Sequence, residues 1–451
     1  MAWKGLGEFL AALEEQGELR RVAVLVDPDR EIAEIIGRIS GAPDGGKGIL
    51  FTSVRGSCYP LAANIFGSPR RMALALGVDS LEALSPRMAE ILNRLDNFPA
   101  PPPVMIAAPP CREVSDPSPD LTTLPLLRGW PGDGSCSGGG YLTLPLVCTA
   151  DPLTGAMNCG IYRVQVIASD RALVGWRPGS DGQRHYRQFQ KLQRRMPAAI
   201  VLGGPPELIF AASFSLPGLP DEFSFAGLLG SEPMEMATCL TSDLLVPAWA
   251  EVIIEGYLEP GEMAEEGPFG NHTGFYVPER QAPLFRVTAL TRRLNPIIPA
   301  TIVGPPPQED CWLAKAAERL MLPWLQKRHP CIVDLFMPLE TIFHRAAIVV
   351  VKSDQCRSVP ELIRLLWGVG PLRRAKVIVV VDAHTPIVPA MAWWRSINCC
   401  DWGRDLIVSD DGLLLGIDAT RKPDDPREPL EESRGEEISA SVTQRWKEYG
   451  L

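Results

Sequence analysis

EVIIEGYLEPGEMAEEGPFGNHTGFYVPERQAPLFRVTAL, residues 251–290, is the stretch around which the chain is organised. Two apolar runs, AEVIIEGYL (250–258) and LFRVTAL (284–290), have the length and β-branched or aromatic content of strands. Between them lies EEGPFGNHTGF (265–275), worded like a loop held against a ligand. Pro268 fixes φ, Gly267 and Gly270 let the backbone approach closely, and Glu266, Asn271 and His272 can exchange hydrogen bonds with whatever arrives. The same Gly/Pro punctuation also suits a plain surface turn, so the residues elsewhere in the chain have to decide.

Working outward, the texture from about 120 to 304 is a series of short β-type runs separated by Gly/Pro/Asp turns: YLTLPLVCTA (141–150), IYRVQVIA (161–168), ALVGW (172–176), AAIVLGG (198–204), ELIFAAS (207–213) and PIIPATIV (296–303). Strands at this density predict a barrel or sandwich whose mouth is a place for a ligand. The region before it reads as a small α/β unit. It opens with an amphipathic helix carrying Leu6, Phe9, Leu10 and Leu13, then LRRVAVLV (19–26), a helix over EIAEIIGRIS (31–40) and the strand GILFTSV (48–54). Helices are expected over 69–76 and 86–96, and the stiff PAPPPV at 99–104 marks a boundary. A second proline cluster, GPPP at 304–307, precedes DCWLAKAAERLML, a predicted helix of about three turns stopped at Pro323. Beyond it CIVDLFM, AAIVVVK, PELIRLLWGV, KVIVVVD and RDLIVS alternate strands with a helix, which predicts a mostly parallel α/β domain. Residues 418–437 read as a polar excursion and EEISASVTQRWKEY as a terminal helix.

Bulk properties narrow the function classes. The 451 residues are 46% hydrophobic, enough for large cores, and the formal charge of −10 provides no basic field for nucleic acid or anionic membrane. Eleven scattered cysteines without a CxxC pair suit a reducing cytoplasm rather than a disulfide framework. No export signal and no apolar stretch of membrane-spanning length is read.

Several residues can carry chemistry. Asn158 sits at the turn opening MNCGIYRVQ (157–165), and Arg163 follows on the strand, where a functional role needs an acidic partner such as Glu266 or a substrate carboxylate. His185 lies in DGQRHYRQF (181–189), and Glu222 stands ahead of an apolar segment in LPDEFSFAGLLG (219–230). Each has a bland alternative: a turn amide, a structural imidazole, a helix-start acid. Together an amide oxygen, an imidazole and a carboxylate can hold a divalent ion bridging to a ligand phosphate. Gly134-Ser-Cys136-Ser-Gly138 has the outline of a nucleophile elbow but lacks its strand-turn-helix setting.

DGSCSGGGYLTLPLVCTADPLTGAMNCGIYRVQV, the RHYRQ segment, GGPPELIFAAS, PAWAEVIIEG and EEGPFG stand in the order and spacing seen in the UbiD family of prenylated-flavin-dependent decarboxylases, and the resemblance spans nearly the whole chain. It implies an N-terminal α/β domain (1–105), a central split β-barrel that binds prenylated FMN (106–305), a linking helix (306–326) and a C-terminal, mostly parallel α/β domain with an oligomerisation tail (327–451). It implies that Asn158, His185 and Glu222 hold a divalent metal, usually manganese, which ties down the flavin phosphate together with potassium. Cofactor contacts are expected from Asn158, Cys159, Gly160, Ile161, Arg163, Arg184, His185 and Glu222. Arg163 and Glu266 match the first two members of the family's Glu-Arg-Glu network. The third is replaced: EGPFGE reads EGPFGN here, and the amide of Asn271 cannot serve as general acid.

The implied function is reversible decarboxylation of an aromatic, heteroaromatic or α,β-unsaturated carboxylic acid by a cytoplasmic homo-oligomer, a dimer or hexamer. Arg163 and Glu266 would be catalytic, Arg163 orienting the substrate carboxylate and Glu266 managing the proton, with Asn271 contacting substrate, and a flavin prenyltransferase would supply the cofactor. The rivals are a carboxylase, alone or as a subunit of a larger complex, and a catalytically silent flavin-binding subunit. AMAWWRSINCCDWG (390–403) is expected at a pocket or, in preference, an oligomer contact.

Overall fold

The computed structural model describes residues 2–422 and 436–450; most of the polar 418–437 stretch therefore lies outside the described residues. The centre is a nine-stranded antiparallel sheet curled into a half-barrel. Its strands from one edge are Gly140–Leu142, Val164–Ala168, Arg171–Val174, Arg280–Arg292, Val252–Glu266, Met196–Leu202, Leu146–Ala150 and Met157–Ile161, with Val114–Asp116 added beside Arg280–Arg292. Alternate residues face two different cores. Val147, Ala198, Ile200 and Leu202 point into the curl with Tyr162, Trp176 and Phe285. Leu146, Cys148, Ala199 and Val201 point outward against the buried helices. Burial on both faces explains why AAIVLGG reads as a continuous apolar run rather than an alternating one.

The N-terminal sheet has the order Leu19–Val22, Gly48–Phe51, Leu61–Ala63, Ile298–Ala300, so its last strand comes from the far end of the central region. The first strand ends at Val22, short of the predicted run to Val26; Val24 and Leu25 lie exposed where nothing covers an extended pair. In the C-terminal unit the order is Ile332–Phe336, Ala346–Val351, Val377–Asp382, Leu415–Asp418, Leu406–Val408. Its three central strands are parallel, and each edge is closed by an antiparallel strand.

Two segments differ from their sequence reading. ELIFAAS forms a helix, Pro206–Ala211, rather than a strand: Pro206 opens it and every residue is buried, a setting in which a short apolar run carries no periodicity to tell the two apart. The helix expected to stop at Pro323 runs from Glu309 to Arg328. Proline removes the hydrogen bond to the carbonyl of Arg319, and Ser85 Oγ, from the neighbouring helix Leu84–Asn97, donates to that oxygen at 2.8 Å. Tertiary packing thus satisfies the group that proline orphans. Among the described residues no helix is long and apolar enough to cross a membrane.

Candidate active site

EEGPFGNHTGF is the tip of the longest hairpin in the sheet. Val252–Glu266 pairs with Arg280–Arg292 so that Glu266 stands directly opposite Arg280, and a second small ladder, Phe269–Gly270 with Tyr276–Val277, continues the hairpin outward. The tip is held from several sides. Gln165 Oε1 accepts from the Gly267 amide at 3.1 Å, Asp133 Oδ1 accepts from the Gly270 amide at 2.7 Å, and Tyr141 Oη donates to the Pro268 carbonyl at 3.2 Å. Trp130 lies beneath it; a Cβ on Gly270 or Gly304 would overlap the indole, whose Nε1 donates to the Val303 carbonyl at 2.8 Å. Glycine is required at both positions by this close approach.

Glu266 is fully buried and bound by two guanidiniums. Arg163 Nε donates to its Oε1 at 2.5 Å and Nη2 to Oε2 at 3.2 Å, while Arg280 Nε donates to Oε2 at 2.7 Å. The Arg163 guanidinium also lies 4.9 Å above the Phe269 ring. Gly175 keeps this space open: a Cβ there would sit 2.9 Å from both Arg163 Cγ and Glu266 Oε1. The bidentate geometry fixes the plane of Arg163 while 17% of its side-chain surface remains exposed.

The predicted trio also converges. Thr149 and Asn158 are directly paired across neighbouring strands; Asn158 Nδ2 donates to Thr149 Oγ1 at 3.3 Å, and the same hydroxyl lies 3.0 Å from His185 Nδ1. His185 sits on the helix Asp181–Lys191 with its pKa lowered by burial, so the ring is neutral; a proton on Nδ1 leaves Nε2 free to bind a cation. Glu222 opens the helix Glu222–Gly230, and its Oε2 accepts from the Cys159 amide at 3.0 Å. Burial pushes its carboxyl up to about 7. An amide, a neutral imidazole and a carboxyl whose ionised form needs a counter-charge fit a divalent ion in donor chemistry. Among the described residues no three His, Cys, Asp or Glu side chains form such a group, and the trio's third donor is an amide.

Other predicted residues are placed differently. Cys159 is buried, Gly160 supports the ring of Tyr162, and the Ile161 amide is bonded to the Ala212 carbonyl, so these three residues can offer a ligand little beyond backbone. Arg184 points to solvent and pairs with Asp181 one turn away. Asn271 caps its own turn: Oδ1 accepts from the Thr273 amide at 2.7 Å and from Thr273 Oγ1 at 2.6 Å, leaving only its NH2 group for a substrate. Cys136 donates its thiol to the Gly267 carbonyl at 2.5 Å within a turn, outside any elbow. Sequence reasoning missed Arg280, Gln165, Asp133 and Thr149. Arg280 had a signal, since pairing the two strand runs antiparallel brings it opposite Glu266; the others had none, being ordinary polar residues whose contacts span the sheet.

Comparison with known proteins shows the family and the fold. The chain matches the 3-octaprenyl-4-hydroxybenzoate carboxy-lyase N-terminal domain over residues 10–96, the Rift-related domain over 104–306 and the C-terminal domain over 311–426. These three define a decarboxylase. The chain belongs to the UbiD family. It is 38% identical to an uncharacterized protein of Archaeoglobus fulgidus, over 94% of this chain and 92% of that one, and 35% identical to one of Aquifex aeolicus, over 99% and 93%. Among solved structures, the vanillic acid decarboxylase of Sedimentibacter hydroxybenzoicus in closed form superposes with a TM-score of 0.87 at 27% identity, covering 99% of each chain. An evolved dimeric form of the UbiD-class enzyme HmfF of Pelotomaculum thermopropionicum, in complex with prenylated FMN, superposes with a TM-score of 0.82 at 27% identity, covering 97% of this chain and 98% of that one.

Proposed function

We propose that the chain is a prenylated-FMN-dependent decarboxylase of an aromatic, heteroaromatic or other α,β-unsaturated carboxylic acid, reversible in principle. The observation that carries this reading is the buried Glu266 clamping Arg163 over Phe269, in a fold shared with a prenylated-FMN complex. Prenylated FMN, when bound, supplies the electrophilic carbon that activates the substrate's double bond. Arg163 orients the substrate carboxylate. Glu266 holds Arg163 and Arg280 in place, and the Asn271 NH2 group faces the substrate end. Asn158, His185 and Glu222 hold a manganese or similar divalent ion, joined by potassium, against the cofactor phosphate. The division at 105, 305 and 326 belongs to the same reading; family matches that meet near 105 and 305 support the first two boundaries, while the C-terminal match begins at 311 and runs through 326.

The protein works in a reducing cytoplasm as a homo-oligomer, and a flavin prenyltransferase supplies its cofactor. The buried cysteines Cys111, Cys148, Cys159, Cys239, Cys311 and Cys331 are free thiols. Trp393, Trp394, Ile397 and Trp402 are exposed together on and just after the helix Pro389–Cys399, and Ile438, Val442 and Trp446 are exposed on the tail, apolar area that a second copy would cover.

Chain co-expressed with a flavin prenyltransferase should release carbon dioxide from one or more monocyclic, bicyclic or heteroaromatic acids. Arg163→Ala should abolish release while retaining the cofactor's absorbance, and full activity in that variant would overturn the assignment. The silent-subunit reading is favoured by one observation, the amide at Asn271. A loaded chain inert toward a broad panel of acids, combined with activity created by Asn271→Glu, would establish it.

A further inference from the structure

Both oxygens of Glu266 are occupied by hydrogen bonds from guanidiniums. Asn271 has no acid to offer. Six residues beyond Glu266, however, His272 meets two other parts of the chain. Its Nδ1 lies 3.9 Å from Oδ2 of Asp310, in the first turn of the helix Glu309–Arg328, and its ring is 5.0 Å from that of His344 and 5.4 Å from that of Phe343. The loop bearing His272 and the segment leading to Asp310 are locked together by Trp130 and by Pro305, which packs under Gly274.

Three features separate this cluster from ordinary packing. Asp310 Oδ1 and His344 Nδ1 are both buried without a hydrogen-bond partner, and His344 as a whole is only 6% exposed. Buried polar atoms are paired in the great majority of cases, and here two unpartnered ones belong to the two residues that flank His272. Ile342 and Phe343 adopt φ of 56° and 38°, a left-handed backbone that a β-branched residue and an aromatic rarely take, and this turn is what presents His344 to His272. Finally the surroundings hold the carboxyl's proton more tightly than usual, although 22% of the Asp310 side-chain surface stays exposed. Burial, with the adjacent Glu309 adding to it, pushes Asp310 up to about 7, although its place at a helix N-terminus opposes this. Burial, with Arg374 and Arg345 nearby, lowers His272 to about 4 and, with His272 and the same two arginines, lowers His344 to about 3, so both rings are neutral at pH 7.

We propose that Asp310, backed by His272, is the general acid of this site, standing in for the carboxylate that Asn271 replaces. The inference rests on the decarboxylase reading above. The bond from substrate carbon to carboxylate breaks, its electron pair stays on the carbon, and carbon dioxide leaves. The Asp310 O–H bond then breaks to form the new C–H bond, leaving Asp310 as carboxylate. Water returns a proton to Asp310 through the neutral ring of His272, so each turnover consumes one proton and no oxidant or reductant. Phe343 and His344 wall the cluster on the C-terminal side.

Asp310→Asn should lower carbon dioxide release by about 10²- to 10⁴-fold with cofactor binding retained, and Asp310→Glu should restore part of it. The wild-type rate should fall as pH rises through about 7, a limb that Asp310→Asn loses. A readout independent of turnover uses cofactor-free protein labelled with ¹³C at its aspartate carboxyls. Its infrared spectrum should show a protonated carboxyl band that fades across about pH 7 and is diminished in Asp310→Asn. Absence of that band from the wild type overturns the inference. So does an active wild type whose Asp310→Asn variant matches it in rate and pH profile. A wild-type chain that releases carbon dioxide from no acid defeats the decarboxylase reading and with it the donor role, and the infrared titration separates that failure from the absence of an acidic Asp310.

Discussion

Replacing Glu266 with glutamine removes one negative charge from a fully buried position and leaves two guanidiniums facing a neutral amide. Removing one partner of a buried ion pair costs about 3–5 kcal/mol because the other charge is left uncompensated. Arg163 and Arg280 keep 17% and 31% of their side-chain surface in contact with solvent, which lets them recover some hydration and places the expected loss near the lower bound, about 3 kcal/mol. Arg163→Ala alone should cost less, about 2 kcal/mol, because Arg280 still binds Glu266 at 2.7 Å. Once Glu266 is neutral Arg163 has little left to lose. The double variant should therefore be destabilised by about 3 kcal/mol rather than the 5 kcal/mol of the sum, a coupling of about 2 kcal/mol. Urea unfolding followed by tryptophan fluorescence on the four proteins measures this directly. Additivity within about 0.5 kcal/mol would show that the two side chains do not act as a unit and would remove the central support of the site.

Ser85→Ala should destabilise the chain by about 1 kcal/mol by orphaning the Arg319 carbonyl, and Pro323→Ala in that background should recover most of it by restoring a backbone donor; thermal unfolding reads both. Glu207 is held up to about 7 by burial, so the folded chain binds its proton more tightly than the unfolded chain does. The stability it contributes is complete below about pH 4.5 and is lost between there and about pH 7, on the order of 3 kcal/mol. Glu207→Gln, compared with wild type across that range, should lack this decline, and parallel curves would refute the assignment. Gly270→Ala should overlap the Trp130 ring and displace the hairpin tip, which loss of cofactor binding with retained secondary structure by circular dichroism would register.

Much of this was readable from residues alone where local chemistry and tertiary structure agree. Strands of the half-barrel are written as β-branched runs between turns, and Arg163 and Glu266 carry opposite charges on runs that lie near one another in the curled sheet. What escaped depends on groups distant in sequence. Pro206–Ala211 is helical because its surroundings bury it on every side. Glu309–Arg328 passes through Pro323 because a serine more than two hundred residues earlier supplies the missing donor. The turn that takes the Asn271 oxygen is a local competition that residue type permits but does not announce, and its NH2 group remains for the substrate contact proposed above.

The strand Ile298–Ala300 has one more consequence. It runs beside Leu61–Ala63 and closes the edge of a sheet otherwise made entirely from the first part of the chain. As the protein is synthesised, that edge waits, with its backbone donors and acceptors open, until the whole half-barrel has left the ribosome. Fragments cut at the proline-rich boundary should therefore be sticky rather than soluble, and a chaperone or a partner strand would find its target at Leu61–Ala63.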